Sequence, residues 1–206
     1  MSENRYIGKS PVRKDALDKV TGAAKFSGDF YAEGMVYGKV IGSPYAHARI
    51  LSIDASEAEK LPGYVGIVTG ADAPEIRYGG YLRDRHILCK KITRYVGDYV
   101  AIVCATSEAL ADKAAKLVKV EYEELPPMLD YNEAFKSGAP MVHDQLFSYI
   151  PTGFQDRDIE QFGLSHDHPN QFTTIHHDYG NVDEGFAKSD LIVENTYTFP
   201  LASHCT

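Results

Sequence analysis

The stretch Ser43-Pro44-Tyr45-Ala46-His47-Ala48-Arg49-Ile50, with Ser52-Ile53-Asp54 behind it, decides how this chain is read. It packs small residues, one histidine and one arginine into a short block unlike a solvated loop. Arg49 to Ile53 has the make-up of a strand. Asp54 can cap the next segment, and Glu57 stands three places on, the capping-box spacing, so a short helix is expected over 55–60. Leu61-Pro62-Gly63 stops it, because proline cannot continue a helix and glycine tolerates the exit turn. Tyr64 to Thr69 is the next strand, which makes a compact β–α–β unit.

Upstream, residues 1–21 show no period and read as an extended lead-in ending in a turn at Thr21-Gly22. Residues 25–30 and 35–41 read as short strands around Gly34. Downstream, Asp72, Pro74 and Gly79-Gly80 punctuate a loop over 71–90. A second β–α–β unit comes next. Tyr99 to Ala105 is nearly all apolar, as in a strand buried on both faces. Ser107 can cap a helix with Leu110, Ala114, Leu117 and Val118 on one side. Val118, Val120 and Tyr122 then alternate with Lys119, Glu121 and Glu123, the period of a half-exposed strand. Leu125-Pro126-Pro127 ends the unit, and 130–135 reads as a short helix.

Periodicity is lost over 144–172, the mark of a linker or functional loop. Asn181 and Glu184 then have capping-box spacing, and 191–199 reads as a strand of β-branched and aromatic residues. The chain stops at Thr206 with no helix stop or turn cluster, and is expected to be a truncated front end with a stub strand. The fold class is α+β: a mixed sheet with short helices.

The 206 residues are 44% hydrophobic and 24% charged, as in a globular protein. A net charge of −8 without a Lys/Arg cluster excludes a nucleic-acid binder, Lys90-Lys91 being only a dipeptide. No apolar run approaches the ~20 residues of a membrane span, and the polar start Met1–Arg5 lacks a secretory signal's apolar stretch. The cytoplasm is expected. Cys89, Cys104 and Cys205 make neither a disulfide framework nor a Cys-x-x-Cys site.

Each candidate site residue has a bland alternative. His47 could shape a route to a reaction centre or bridge to a neighbouring domain, or its ring could satisfy backbone groups in a tight turn; Arg49 could form an interdomain ion pair or contact a cofactor. His166, His168, His176 and His177 could gather a metal, but the first two sit in an aperiodic loop, and adjacent strand residues point apart. Glu121, Glu123, Glu124 and Asp130 could do acid–base work if burial raised one of them, or form a solvated face. Gly79-Gly80 lacks the spacing of a phosphate loop and Ser107 the glycines of a nucleophile elbow. Tyr78, Tyr81, Tyr95 and Tyr99 flank the middle loop, where tyrosine's apolar ring and wet hydroxyl suit an interface.

Several ordered blocks together resemble the molybdenum-binding subunit of the xanthine dehydrogenase and aldehyde oxidase family. They are Asp15 to Gly22 with Ala24-Lys25-Phe26 and Gly28-Asp29, Ser43 to Asp54, Leu61 to Val65, Val96-Gly97-Asp98, and Tyr122-Glu123-Glu124-Leu125-Pro126-Pro127. Gly180-Asn181-Val182-Asp183, Phe186, Ser189-Asp190-Leu191 and Glu194 resemble the family's linker into its molybdenum domain. The resemblance implies an α/β hammerhead domain over 1–146, a linker over 147–175 and the start of the molybdopterin-binding domain over 176–206. It implies a molybdenum-dependent oxidoreductase acting on aldehydes, N-heterocycles or aromatic acyl-CoA. Molybdopterin would be bound by the intact enzyme but not by this part, which holds none of the family's catalytic, cofactor or metal residues. Partners implied are the missing catalytic domain, iron–sulfur and FAD domains or subunits, and a small-molecule substrate. The bare stub strand could also pair with a copy of itself as a homodimer. Rival readings are a stand-alone scaffold and a small metal-dependent hydrolase built on the histidine loop.

Overall fold

The computed structural model describes residues 6–79, 83–143, 170–171, 179–200 and 202. Among the described residues eight strands run β1 Tyr37–Gly42, β2 Ala48–Asp54, β3 Tyr64–Thr69, β4 Arg77–Tyr78, β5 Arg85–His86, β6 Ile92–Thr93, β7 Tyr99–Ala105 and β8 Lys119–Glu124. The helices are α1 Ala16–Thr21, α2 Glu108–Leu117, α3 Tyr131–Ala134 and α4 Val182–Ala187. The α+β class stands, with few short helices and open sheets.

The strand pairing differs from the expected β–α–β units. One sheet has the order β1-β7-β3 and the other β6-β2-β8, with β4 and β5 forming a separate ribbon. Each expected unit is therefore split between sheets: β2 does not pair with β3, nor β7 with β8. Among the described residues every pairing is antiparallel, so the sheet is not mixed. Periodicity identifies a strand but says nothing of its neighbour, which is why the sequence misleads here.

Strand β7 is central, and its Val100, Ala101, Val103 and Ala105 are fully buried. Helix α2 lies over this sheet. Ser107 caps it, its hydroxyl accepting the Leu110 N–H at 3.3 Å. The buried face of α2 is Ala111 and Ala114, small enough to bring the helix axis close to the strands. Ala114 meets Val103 and Ala58, with Ile41, Leu61, Ile67 and Leu117 packed around them. Gly63 makes the turn beneath with φ +90°, and a Cβ there would stand 2.6 Å from Thr106 Oγ1.

Four local expectations need correction. Residues 55–60 form turns, not a helix: Asp54 accepts from Ser56 N–H at 2.9 Å, but the Glu57 carboxylate goes to Lys60 and closes no capping box. Residues 25–30 hold a 3₁₀ turn at Ser27–Asp29, where Asp29 accepts the Phe26 N–H, instead of a strand. The lead-in carries α1, closed by Gly22 in the left-handed region. Residues 191–199 belong to no strand, because no described strand lies beside them to form a ladder. The cap expected at Asn181 is present, accepting the Glu184 N–H at 3.0 Å, and Asp130 caps α3 by accepting the Asn132 N–H at 2.8 Å.

The flanks differ from this core. Val12, Leu17, Val20, Phe26, Phe30 and Tyr31 before β1, and Leu191, Val193, Tyr197 and Phe199 after α4, are all exposed, Val12 and Phe199 to 90%.

Candidate functional site

The connections at 43–47, 94–98, 125–129 and 141–143 converge, and hydrogen bonds fix how. Ser43, 2% exposed, places its hydroxyl 3.0 Å from that of Thr93 and accepts the Tyr45 N–H at 3.1 Å. Its backbone N–H donates to Asp98 at 2.9 Å, and its carbonyl accepts from Gly97 at 2.7 Å. The Ser-Pro turn is thus stitched to the Gly97-Asp98 turn. Asp98 closes that turn on itself by accepting the Arg94 N–H at 2.9 Å.

His47 is tied at two levels. Its carbonyl accepts the Leu125 N–H at 2.9 Å, and its Nδ1 lies 2.8 Å from the Pro126 carbonyl. A carbonyl only accepts, so Nδ1 carries the proton and Nε2 of the neutral ring keeps the lone pair. The Arg94 guanidinium donates from Nε to the Val142 carbonyl at 2.8 Å, fastening 141–143 against the 94–98 turn.

Two cavities lie on either side of this Arg94–Val142 seam. One, of about 190 Å³, is polar: Asp84, Arg85, His86, Cys89 and Asp98 line it with Tyr78, Tyr95 and Tyr99. The other, of about 300 Å³, is mainly apolar: Val96, Met128, Leu129 and Met141 line it, with His47 as its imidazole. Arg94, Tyr95 and Val142 belong to both.

The polar cavity has unusual electrostatics. Burial, reinforced by the negative charge of Asp98, pushes the Cys89 thiol well above the ordinary thiol range, so it is held neutral and is a poor nucleophile. Burial also raises the Tyr95 hydroxyl, Asp98 adding to the effect, and the Arg85 guanidinium lies 5.9 Å from the Tyr95 ring centre. Burial lowers the His86 pKa, with the Arg77 charge acting in the same direction. His86 Nδ1 is buried without a hydrogen-bond partner, the Glu75 carboxylate standing 4.0 Å away while it pairs with Lys90.

These surroundings make stability depend on pH. His86 binds its proton less readily in the folded chain than in the unfolded one. Its contribution to stability is therefore complete above the ordinary histidine value near 6.5 and is lost as pH falls below it. The urea midpoint is expected to drop between pH 7.5 and 5.5, and to drop less in His86→Gln; identical slopes in the two proteins would refute this assignment.

Three of the four tyrosines, Tyr78, Tyr95 and Tyr99, share the polar cavity and are about half exposed; Tyr81 and Gly80 lie outside the described residues. Arg49 pairs with Glu123 at 2.8 Å and Ser52 donates to Glu121 at 2.8 Å, cross-strand neighbours on one exposed face of β2 and β8. That is a solvated face with no carboxylate poised for proton transfer. Asp130 and Ser107 cap helices. His166, His168, His176, His177 and Cys205 lie outside the described residues. Among those described, no group of three or more His, Cys, Asp or Glu side chains could hold a metal ion. No described helix is long and apolar enough to cross a membrane.

Sequence reading gave no site role to Arg94, Cys89 or His86. The one available signal was the Arg94-x-x-x-Asp98 spacing around Gly97, the pattern of a side chain closing its own turn.

A family profile described as "Aldehyde oxidase and xanthine dehydrogenase, a/b hammerhead domain" matches residues 21–126, just over half of the chain. The xanthine dehydrogenase molybdenum-binding subunit of Escherichia coli O157:H7 is 32% identical over 94% of this chain and 24% of its own length. The nicotinate dehydrogenase large molybdopterin subunit of Eubacterium barkeri is 31% identical over 97% of this chain and 42% of its own length. Among solved structures, quinoline 2-oxidoreductase from Pseudomonas putida 86 superposes with a TM-score of 0.62 at 35% identity, over 69% of this chain and 19% of that one. The chain thus spans less than half the length of each of these relatives.

Proposed function

Since the chain belongs to the aldehyde oxidase and xanthine dehydrogenase family through its hammerhead domain, we propose that it is the supporting module of a molybdenum-dependent hydroxylase subunit. In the whole subunit, water supplies oxygen to an electron-poor carbon of an aldehyde or N-heterocycle, and electrons leave through separate iron–sulfur and flavin centres on partner domains or subunits. Molybdopterin supplies the redox chemistry there. In this reading none of the described residues is assigned to holding that cofactor. This chain's part is architectural. It walls one side of the substrate route and fixes the position of neighbouring domains in a cytoplasmic enzyme. The proposed division is 1–146 for the hammerhead, 147–175 for a linker and 176–206 for the start of the cofactor-binding domain.

The observation that supports this reading most is the pair of exposed apolar flanks. Monomeric proteins seldom expose so many large apolar side chains within two short segments, and such surface marks a partner. At roughly 25 cal/mol per Å², covering each fully would contribute ~1.5–3 kcal/mol per residue. The test is to capture the protein from its source cells with an antibody to 37–143 and measure molybdenum and pterin. About one molybdenum per captured polypeptide, with oxidation of an N-heterocycle or aldehyde, is expected; a captured chain ending at Thr206 in a complex free of molybdenum would overturn it.

A further inference from the structure

We propose that the mainly apolar cavity beside His47 is a binding site for a small aromatic molecule bearing one hydrogen-bond donor, such as an N–H azole or a phenol. The inference goes beyond the supporting role above and does not depend on it.

Three observations carry it. The first is the tautomer. The Pro126 carbonyl holds the proton of His47 on Nδ1, so the ring offers an acceptor, not a donor, from Nε2. Because the carbonyl of His47 is itself tied to Leu125, the ring is fixed at both its backbone and its Nδ1 edge, and the acceptor is preorganised. The second is the lining. Met128 and Met141 contribute two thioether sulfurs, which favour the edges of aromatic rings, and Val96 and Leu129 add apolar surface. Arg94 and Tyr95 also belong to the lining, with Arg94 Nε committed to the Val142 carbonyl. The third is size. At about 300 Å³ the cavity sits at the small end of ligand sites, suited to one or two fused rings. The Arg94–Val142 bond closes it on the side of the polar cavity.

The lining also separates this ligand from a protein partner. A partner's aliphatic side chain would satisfy the methionines but leave the fixed acceptor unpaired, and a buried unpaired acceptor is costly. The site therefore rejects ligands without a donor.

Indole and 1-methylindole are the probes, added to the 206-residue chain with ¹³C-methyl-labelled methionine. Saturable shifts of the Met128 and Met141 methyl signals with indole are expected, with 1-methylindole about tenfold weaker. His47→Phe should abolish the difference between the two probes. Should that variant fail to fold, Val96→Glu serves instead: Val96 is on the exposed rim, and a carboxylate there should weaken indole at least tenfold. Equal affinity for the two indoles, shifts that do not saturate, or shifts unaffected by Val96→Glu would each overturn the proposal, the last by placing the probe on the exposed flanks.

Discussion

Gly70→Ala is expected to destabilise the chain by about 2–4 kcal/mol, through overpacking in a site with no room to yield. A Cβ at Gly70 would stand 2.3 Å from the Cys89 carbonyl oxygen and 2.8 Å from the Lys90 Cα. Both are backbone atoms, so no rotamer change relieves the clash. Gly70 is buried just after β3, and the Cys89 N–H is committed to the Tyr99 carbonyl at 2.7 Å, so the 89–90 segment cannot retreat without breaking a bond to the central strand. At roughly 2–4 °C per kcal/mol for a chain of this size, the melting temperature should fall by about 10 °C. Because Cys89 lines the polar cavity, near-ultraviolet dichroism of Tyr95 and Tyr99 should change as well. Calorimetry showing a loss under about 1 kcal/mol would mean that these two backbones can part without cost.

Ala114→Asp should do more. The residue is 0% exposed, on the face of α2 that meets Val103 and Ala58. A carboxylate there is stripped of water in a cluster of apolar side chains, and an unpaired buried charge costs about 3–5 kcal/mol. That is a large part of the roughly 5–15 kcal/mol by which domains are ordinarily stable. The variant is expected to be largely unfolded at 37 °C, with lost near-ultraviolet dichroism and rapid proteolysis of 37–143. Glu108→Asp at the exposed start of the same helix is the control and should change stability by less than about 0.5 kcal/mol. An Ala114→Asp protein melting with the parent would show that α2 does not pack on the sheet through this face.

What the sequence revealed was local. The period of Tyr99 to Glu124 identified β7, α2 and β8, and side-chain chemistry placed the caps at Ser107 and Asn181, because each signal is complete within a few residues. What it hid was pairing. Nothing in 48–54 states that its partners are 92–93 and 119–124 instead of 64–69. The turn at 55–60 failed as a helix for a similar reason: Glu57 had the right spacing for a capping box, but Lys60 was a nearer partner. The cavities were invisible because each is built from segments far apart in sequence. Arg94 reaches Val142 across 48 positions and His47 reaches Pro126 across 79, and only the fold supplies those encounters. His47 itself was noticed from its neighbours, but the proton position that gives it a chemical direction comes from Pro126.

The split of neighbouring strands between two sheets has a consequence for biosynthesis. β1 waits for β7 and β2 waits for β8, so neither sheet can be finished by residues adjacent in the chain. At about 5–20 residues per second, the ribosome spends several seconds between making Tyr37 and releasing Glu124. Until Ala105 is made β1 has no partner, and until Glu124 is made β2 lacks β8, so both offer open edges to other nascent chains, and a holding chaperone during translation should raise the yield of native protein.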